Sequence, residues 1–99
     1  MFKKLTLKND FHNTEANFRV EANNEIKLDD VITLSKNQVN KAKRLLCWKD
    51  CACSGELGTR ADWHVLDGEE VKFEEHVIYD QRTGELLGVE LYVRKIWKG

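Results

Sequence analysis

The sequence predicts an α+β fold with an N-terminal β-hairpin, one central helix, a cysteine-rich loop and a C-terminal three-stranded antiparallel meander. Three observations support this fold class. Apolar and polar residues alternate in the first 22 positions and again after position 63. One intervening stretch has the apolar spacing of an amphipathic helix, and all three cysteines follow it within seven residues. The 99 residues contain no proline and no repeat, so we expect a single domain spanning residues 1–99.

The N-terminal hairpin is predicted from two alternating runs. Leu5 and Leu7 alternate with polar residues, and residues 16–22 alternate in the same way. Asparagine and aspartate residues, which favour turns, lie between the runs. Residues 26–34 look extended but irregular, because Asp29-Asp30 interrupts them.

The central helix is predicted from Lys36 to Leu46. Ser35 and Gln38 have the spacing of a capping box, in which each side chain satisfies a backbone N–H at the start of the helix. Its apolar stripe is predicted to consist of Val39, Ala42, Leu45 and Leu46.

The C-terminal meander is predicted to begin with a strand from Trp63 to Leu66, followed by a turn at Asp67-Gly68. A second strand extends to Tyr79, and we expect a bulge at Glu74-Glu75 because the alternation slips there. Gly84 is placed for a left-handed conformation in the next hairpin loop. The apolar face is predicted to comprise Val71, Phe73, Val77 and Tyr79 on the second strand, with Leu87, Val89, Leu91, Val93 and Trp97 on the last.

The cysteines Cys47, Cys51 and Cys53 form the candidate metal site. Thiolates bind zinc in a tetrahedron of four ligands, and the serine and glycine after Cys53 suit a tightly curved backbone. The alternatives are free thiols at the end of a helix, or a disulfide with one spare thiol. Three thiolates favour a structural zinc ion over a catalytic one, and a structural ion would stabilise a small core.

Histidine is the natural fourth ligand, and we favour His12 over His64. His12 lies in the turn between two predicted strands, whereas a strand position is enough to explain His64. His76 is expected to face solvent. Asp50 and Asp62 are poorer, oxygen-donating alternatives.

Charge is divided unevenly along the chain, although the net charge is only −1. Residues 1–49 contain ten Lys and Arg against six Asp and Glu, whereas residues 50–99 contain six against eleven. The simplest explanation of the acidic residues of the second half is a solvated sheet face, and the functional alternative is a surface for a basic partner. The candidate partner-binding residues are Asp62, Asp67, Glu69, Glu70, Glu74 and Glu75.

Catalysis and nucleic-acid binding are the alternatives to protein binding. His12 and Glu15 could act as a base with a carboxylate, but the motifs of deaminases, phosphate-binding loops and nucleophile elbows are absent from the sequence, so we expect no enzyme. A basic helix side with Trp48 beside it could bind nucleic acid, but the acidity of the chain argues against direct binding. The residues of that helix side are Lys36, Lys41, Lys43, Arg44 and Lys49.

No apolar run is long enough to span a membrane, and the N-terminal residues lack the apolar stretch of a secretory signal. We therefore expect a cytoplasmic, monomeric protein whose thiols stay reduced.

The segment from Asp10 to Glu15, together with the run from Ser35 to Cys53, resembles small proteins of bacterial phages and mobile elements. Within that group it resembles the zinc-containing type II anti-CRISPR inhibitors. The resemblance covers roughly the first half of the chain. It implies a non-enzymatic inhibitor that binds a type II CRISPR effector nuclease in the bacterial cytoplasm and obstructs target DNA. The acidic residues would then meet a basic surface of the nuclease.

Overall fold

A computed structural model describes residues 1–10, 13–46 and 63–97. These residues form six strands and one helix, an α+β arrangement dominated by antiparallel sheet, as predicted. In chain order the elements are β1 (Phe2–Asn9), β2 (Thr14–Glu21), β3 (Val31–Ser35), α1 (Lys36–Leu46), β4 (His64–Leu66), β5 (Glu69–Tyr79) and β6 (Leu86–Ile96).

The six strands form one antiparallel sheet in the order β2-β1-β4-β5-β6-β3. The sheet curls, so that the edge strands β2 and β3 approach to within 8 Å between Cα atoms. Helix α1 contacts β1, β2, β3 and β6, and therefore lies inside the curl. The sheet thus has an inner face, which packs against α1, and an outer face.

The hairpin of β1 and β2 confirms the first prediction. Leu5 pairs with Phe18 and Leu7 with Ala16, and all four side chains are buried on the inner face. The alternation between an apolar and a polar face is what fixes this register, since a slip of one residue would expose the whole apolar set.

Helix α1 has the predicted bounds, Lys36–Leu46. Its capping box forms: the Ser35 amide donates to Oε1 of Gln38 at 2.9 Å, and the Gln38 amide donates to Oγ of Ser35 at 3.3 Å. Val39 and Ala42 are fully buried. The prediction that Leu45 belongs to the core is wrong, because 40% of the residue is exposed.

Strand β3 replaces the irregular segment expected before the helix. Asp29 adopts a positive φ of 69°, which turns the chain and lets Val31–Ser35 pair with β6. Ile32 and Leu34 are buried on the inner face. The partner strand lies more than 50 residues further along the chain, so local patterning did not reveal the pairing.

The pairing of β5 with β6 contains two bulges, and both lie on β6. The prediction of a bulge at Glu74-Glu75 on β5 is therefore wrong. The β5–β6 register shifts twice, and each shift leaves one residue of β6 without a partner on β5, first Leu87 and then Arg94. Because each bulge reverses which face the following residues occupy, the predicted inner face of β6 is wrong at both ends. Leu87 is 49% exposed and Trp97 is 60% exposed.

The two hairpin turns of this half follow the prediction. Asp67 and Gly68 both have positive φ, as a two-residue hairpin turn requires, and Gly84 has a φ of 72°. Tyr79, predicted on the apolar face, ends β5 and is 50% exposed. The inner positions Val71 and Phe73 of the same strand are buried, as predicted.

Candidate functional site

The predicted zinc ligands Cys47, Cys51, Cys53 and His12 lie outside the described residues, as do the oxygen alternatives Asp50 and Asp62. Within residues 1–10, 13–46 and 63–97, no group of three or more His, Cys, Asp or Glu side chains could hold a metal ion. The structure therefore bears on the zinc site only through the residues that flank it.

Those flanking residues lie at one end of the sheet. Asn9 ends β1 and pairs with Thr14 at the start of β2. Gln38, near the start of α1, contacts Arg19 of β2, and Lys41, further along the helix, contacts Phe18. Helix α1 therefore runs toward the end of β2 where Thr14 lies. The start of β4 lies at the same end, because the amide of Lys8 bonds to His64.

His64 occupies a strand position in β4, as predicted, and is completely buried. Its ring stacks on Phe73 with centroids 5.8 Å apart, and its Nδ1 accepts a hydrogen bond from the amide of Lys8 at 2.9 Å. A backbone N–H can only donate, so Nδ1 carries no proton and the proton of the neutral ring is on Nε2. A zinc-binding histidine normally donates its second N–H to a neighbour, and this arrangement therefore argues against His64 as a ligand.

His76 faces solvent on the outer face, as predicted, with its side chain 50% exposed. Its Nε2 lies 2.7 Å from Oε2 of Glu74, and its ring lies 4.6 Å from that of Tyr92. Arg94 donates to the same carboxylate oxygen at 2.9 Å, and also pairs with Asp29. The hydrogen bond with His76 and then that with Arg94 lower the pKa of Glu74 below its ordinary value. The hydrogen bond between Arg94 and Glu74 also raises the pKa of Arg94, because it outweighs the opposite, smaller effect of desolvation.

The candidate partner-binding glutamates do not share one face. Glu70 and Glu74 lie on the outer face of β5, whereas Glu69 and Glu75 have the parity of its inner face. Glu75 is half-buried, while Glu69 and Glu70 are exposed at the start of the strand. Asp67, in the adjoining turn, has a half-exposed side chain that pairs with Lys3. The acidic corner, defined as Asp67, Glu69 and Glu70, is the part of the predicted set that the structure brings together at the surface.

Sequence reasoning missed a basic and aromatic region on the outer face. Lys72 and Lys95 lie directly opposite each other on β5 and β6. Trp63 has its ring 5.3 Å from Nζ of Lys72 and makes an edge contact with Trp97, with centroids 5.9 Å apart. The bulge at Arg94 creates this arrangement, because it moves Trp97 from the inner to the outer side. The two consecutive polar residues Arg94 and Lys95, which interrupt the alternation of β6, are the sequence signal that could have revealed the bulge.

A groove of about 760 Å³ opens beside this region. It is bounded on one side by the segment before β3 and on the other by β6 and Trp63. Its lining contains three cations and one carboxylate. The lining residues are Glu25, Ile26, Lys27, Leu28, Trp63, Arg94, Lys95 and Ile96.

No protein-family model, curated protein or solved structure matches this chain. In the part of the chain that the structure describes, no helix is both long and apolar enough to cross a membrane.

Proposed function

We propose that this chain is a non-enzymatic binding protein that inhibits a type II CRISPR effector nuclease by occupying a basic surface of it and obstructing target DNA. The resemblance of the first half of the chain suggests the partner. The observation that carries the proposal is the acidic corner. Glu69 and Glu70 are exposed beside a rigid two-residue turn, and neither carboxylate has a cation within 4 Å among the described residues.

Unpaired carboxylates at a corner suit electrostatic docking. Exposed charges act over a Debye length of about 10 Å at 0.1 M salt, so they accelerate association with a basic surface more than they tighten the final complex. Glu74 and Glu75 fit this role less well. Glu74 already neutralises Arg94, and Glu75 is half-buried.

The proposal includes a structural zinc ion held by Cys47, Cys51, Cys53 and His12. The location of the flanking residues at one end of the sheet supports it, and the hydrogen bond from the Lys8 amide to Nδ1 of His64 favours His12 as the fourth ligand. The zinc would stabilise the fold and take no part in chemistry. We place the protein in the cytoplasm of the bacterial host, as a monomer.

A target-DNA cleavage assay with a panel of type II nucleases tests the function directly. Stoichiometric wild-type protein should block cleavage by at least one nuclease. The double substitution Glu69→Lys and Glu70→Lys should slow association with that nuclease, and more strongly at low salt than at high salt. Glu15→Lys with Glu25→Lys is the control matched in charge, since both residues are exposed and neither makes an ion pair with a described residue.

Two results would contradict the proposal. Cleavage by every nuclease of the panel at full rate would exclude the inhibitor function. Equal slowing by the Glu15→Lys, Glu25→Lys control and by the double substitution at the acidic corner would mean that net charge matters and the acidic corner does not.

A further inference from the structure

A row of lysines crosses four adjacent strands on the outer face. Lys72 pairs with Lys95, and the register between β4 and β5 continues to place Trp63 opposite Lys72. The register between β1 and β4, continued in the same way, places Lys8 beside Trp63. With strands about 4.8 Å apart, the row from Lys8 to Lys95 is roughly 14 Å long.

These three lysines make no ion pair among the described residues, although Lys8 lies directly opposite Glu15 of β2. Across the described residues, no carboxylate lies within 4 Å of Nζ of Lys8, Lys72 or Lys95. Like charges directly opposite each other on neighbouring strands destabilise a sheet, so the Lys72–Lys95 pair has an unfavourable electrostatic energy in the isolated protein. An anion spanning the row would remove that repulsion.

Two aromatic rings lie at this surface, the half-buried Trp63 within the row and the exposed Trp97 next to it, opposite Glu70. Trp97 is 60% exposed, so part of its ring is accessible to a ligand. It packs edge-on against Trp63, which holds both rings in a fixed orientation. The groove next to them adds Lys27 to the local positive charge, whereas Arg94 of the same groove is already paired with Glu74 and Asp29.

We propose that this surface, comprising Lys8, Trp63, Lys72, Lys95 and Trp97, binds single-stranded nucleic acid. Phosphates would lie along the lysine row, and an unpaired base would stack on Trp97. An acidic protein segment would satisfy the lysines but would leave the exposed rings without a flat partner. Base stacking on aromatic side chains depends little on sequence, so we expect binding without strong base preference. The proposal concerns a different surface from the acidic corner and does not depend on the nuclease partner.

Binding can be measured by fluorescence anisotropy with a fluorescein-labelled oligothymidylate of ten nucleotides and the full chain. Trp97→Ala should weaken binding about tenfold, in keeping with the loss of one stacked base. Phe2→Ala is the matched control. Phe2 is also 60% exposed beside a cation, Arg19, but lies about 20 Å along β1 from Lys8.

The salt dependence of binding separates phosphate contacts from other effects. Each phosphate contact with a single strand adds about 0.7 to the slope of log K against log salt concentration. Lys95→Gln should lower the slope by about that amount. Lys41→Gln removes the same charge from α1 on the inner side and should leave the slope unchanged.

The acidic corner gives a further control, because Glu70 lies on the outer face next to Trp97. Glu69→Lys with Glu70→Lys should tighten oligonucleotide binding while it weakens nuclease binding. The two proposals can therefore fail separately.

Three outcomes would overturn the nucleic-acid proposal. The first is no anisotropy change at low salt with the folded wild-type protein, as verified by circular dichroism. The second is an equal loss of oligonucleotide affinity in the Phe2→Ala and Trp97→Ala variants. The third is a slope of log K against log salt concentration that falls for Lys41→Gln but not for Lys95→Gln. Displacement of the oligonucleotide by poly-glutamate, together with full affinity of Trp97→Ala, would instead identify the surface as a site for acidic protein segments.

Discussion

The amide of Lys8 donates a hydrogen bond to Nδ1 of His64 at 2.9 Å, and this bond joins the end of β1 to the start of β4 in the buried part of the sheet. It explains why a histidine occupies a completely buried position. The ring supplies an acceptor to a partly buried backbone N–H, and its flat face stacks on Phe73. We interpret His64 as a structural residue.

Replacement of His64 by leucine should therefore lower the free energy of unfolding by about 1–3 kcal/mol, because it leaves the Lys8 amide without an acceptor. His64→Asn is the informative companion, since its amide oxygen can take the place of Nδ1. We expect the asparagine variant to recover part of the loss in urea unfolding. Equal stability of the leucine variant and the wild type would show that the hydrogen bond contributes nothing.

Gly88 should be the least replaceable residue of β6. A Cβ atom at this position would lie 2.6 Å from the backbone oxygen of Leu34, closer than van der Waals contact allows. Gly88→Ala must therefore move β3 away from β6, at a cost of about 1–3 kcal/mol. Hydrogen exchange should show faster exchange at the amides of β3.

Thr33→Ala is the control for Gly88→Ala, because Thr33 is exposed on the same edge strand. Its effect on unfolding should stay within about 0.5 kcal/mol. If the alanine at position 88 left the exchange of β3 unchanged, the close approach of the two strands would be disproved.

Comparison of sequence and structure shows where local patterns are sufficient. The capping box of Ser35 and Gln38 and the hairpin of β1 and β2 depend on residues close in sequence, and both were predicted correctly. The pairing of β3 with β6 depends on residues far apart, and the turn at Asp29 that permits it has no glycine to mark it. Local sequence therefore indicates only an irregular segment before the helix.

The same reasoning explains what was missed at the candidate sites. A bulge at Arg94 changes the side of every later residue, so an alternation continued unbroken past Val93 assigned Trp97 to the wrong face. The acidic stretch looked continuous in sequence, yet a strand sends neighbouring residues to opposite faces, and ion pairs occupy Asp67 and Glu74. The burial of His64 and the hydrogen bond to its Nδ1 depend on contacts among β1, β4 and β5, which local sequence patterns do not reveal.

Stability at acid pH should depend in part on Glu74. Its pKa is lowered in the folded protein, first by the hydrogen bond with His76 and then by Arg94. A lowered folded pKa stabilises the fold at pH values above the unfolded value of about 4.3, and this contribution is lost as the pH falls through the folded pKa. Carboxylate titration followed by NMR should give a Glu74 pKa below that value.

Arg94→Gln should raise the pKa of Glu74 toward its ordinary value and leave that of Glu85 lowered. The pKa of Glu85 is lowered by a separate hydrogen bond with Lys36. Lys36→Gln should therefore raise the pKa of Glu85 and leave that of Glu74 lowered. A Glu74 pKa that did not respond to loss of Arg94 would contradict the contact seen on the outer face.

Zinc content provides the last prediction. Protein purified without chelators should contain one zinc ion per chain, and Cys51→Ser or Cys53→Ser should remove it and lower the melting temperature by several degrees, because the free energy of metal binding is also free energy of folding. His12→Ala should lose zinc as well. His64→Asn should retain it, since Nδ1 of His64 already accepts the Lys8 amide and its Nε2 carries the proton. Retention of zinc by His12→Ala with loss in His64→Asn would reverse the ligand assignment, and wild-type protein without zinc would leave the three cysteines as free thiols.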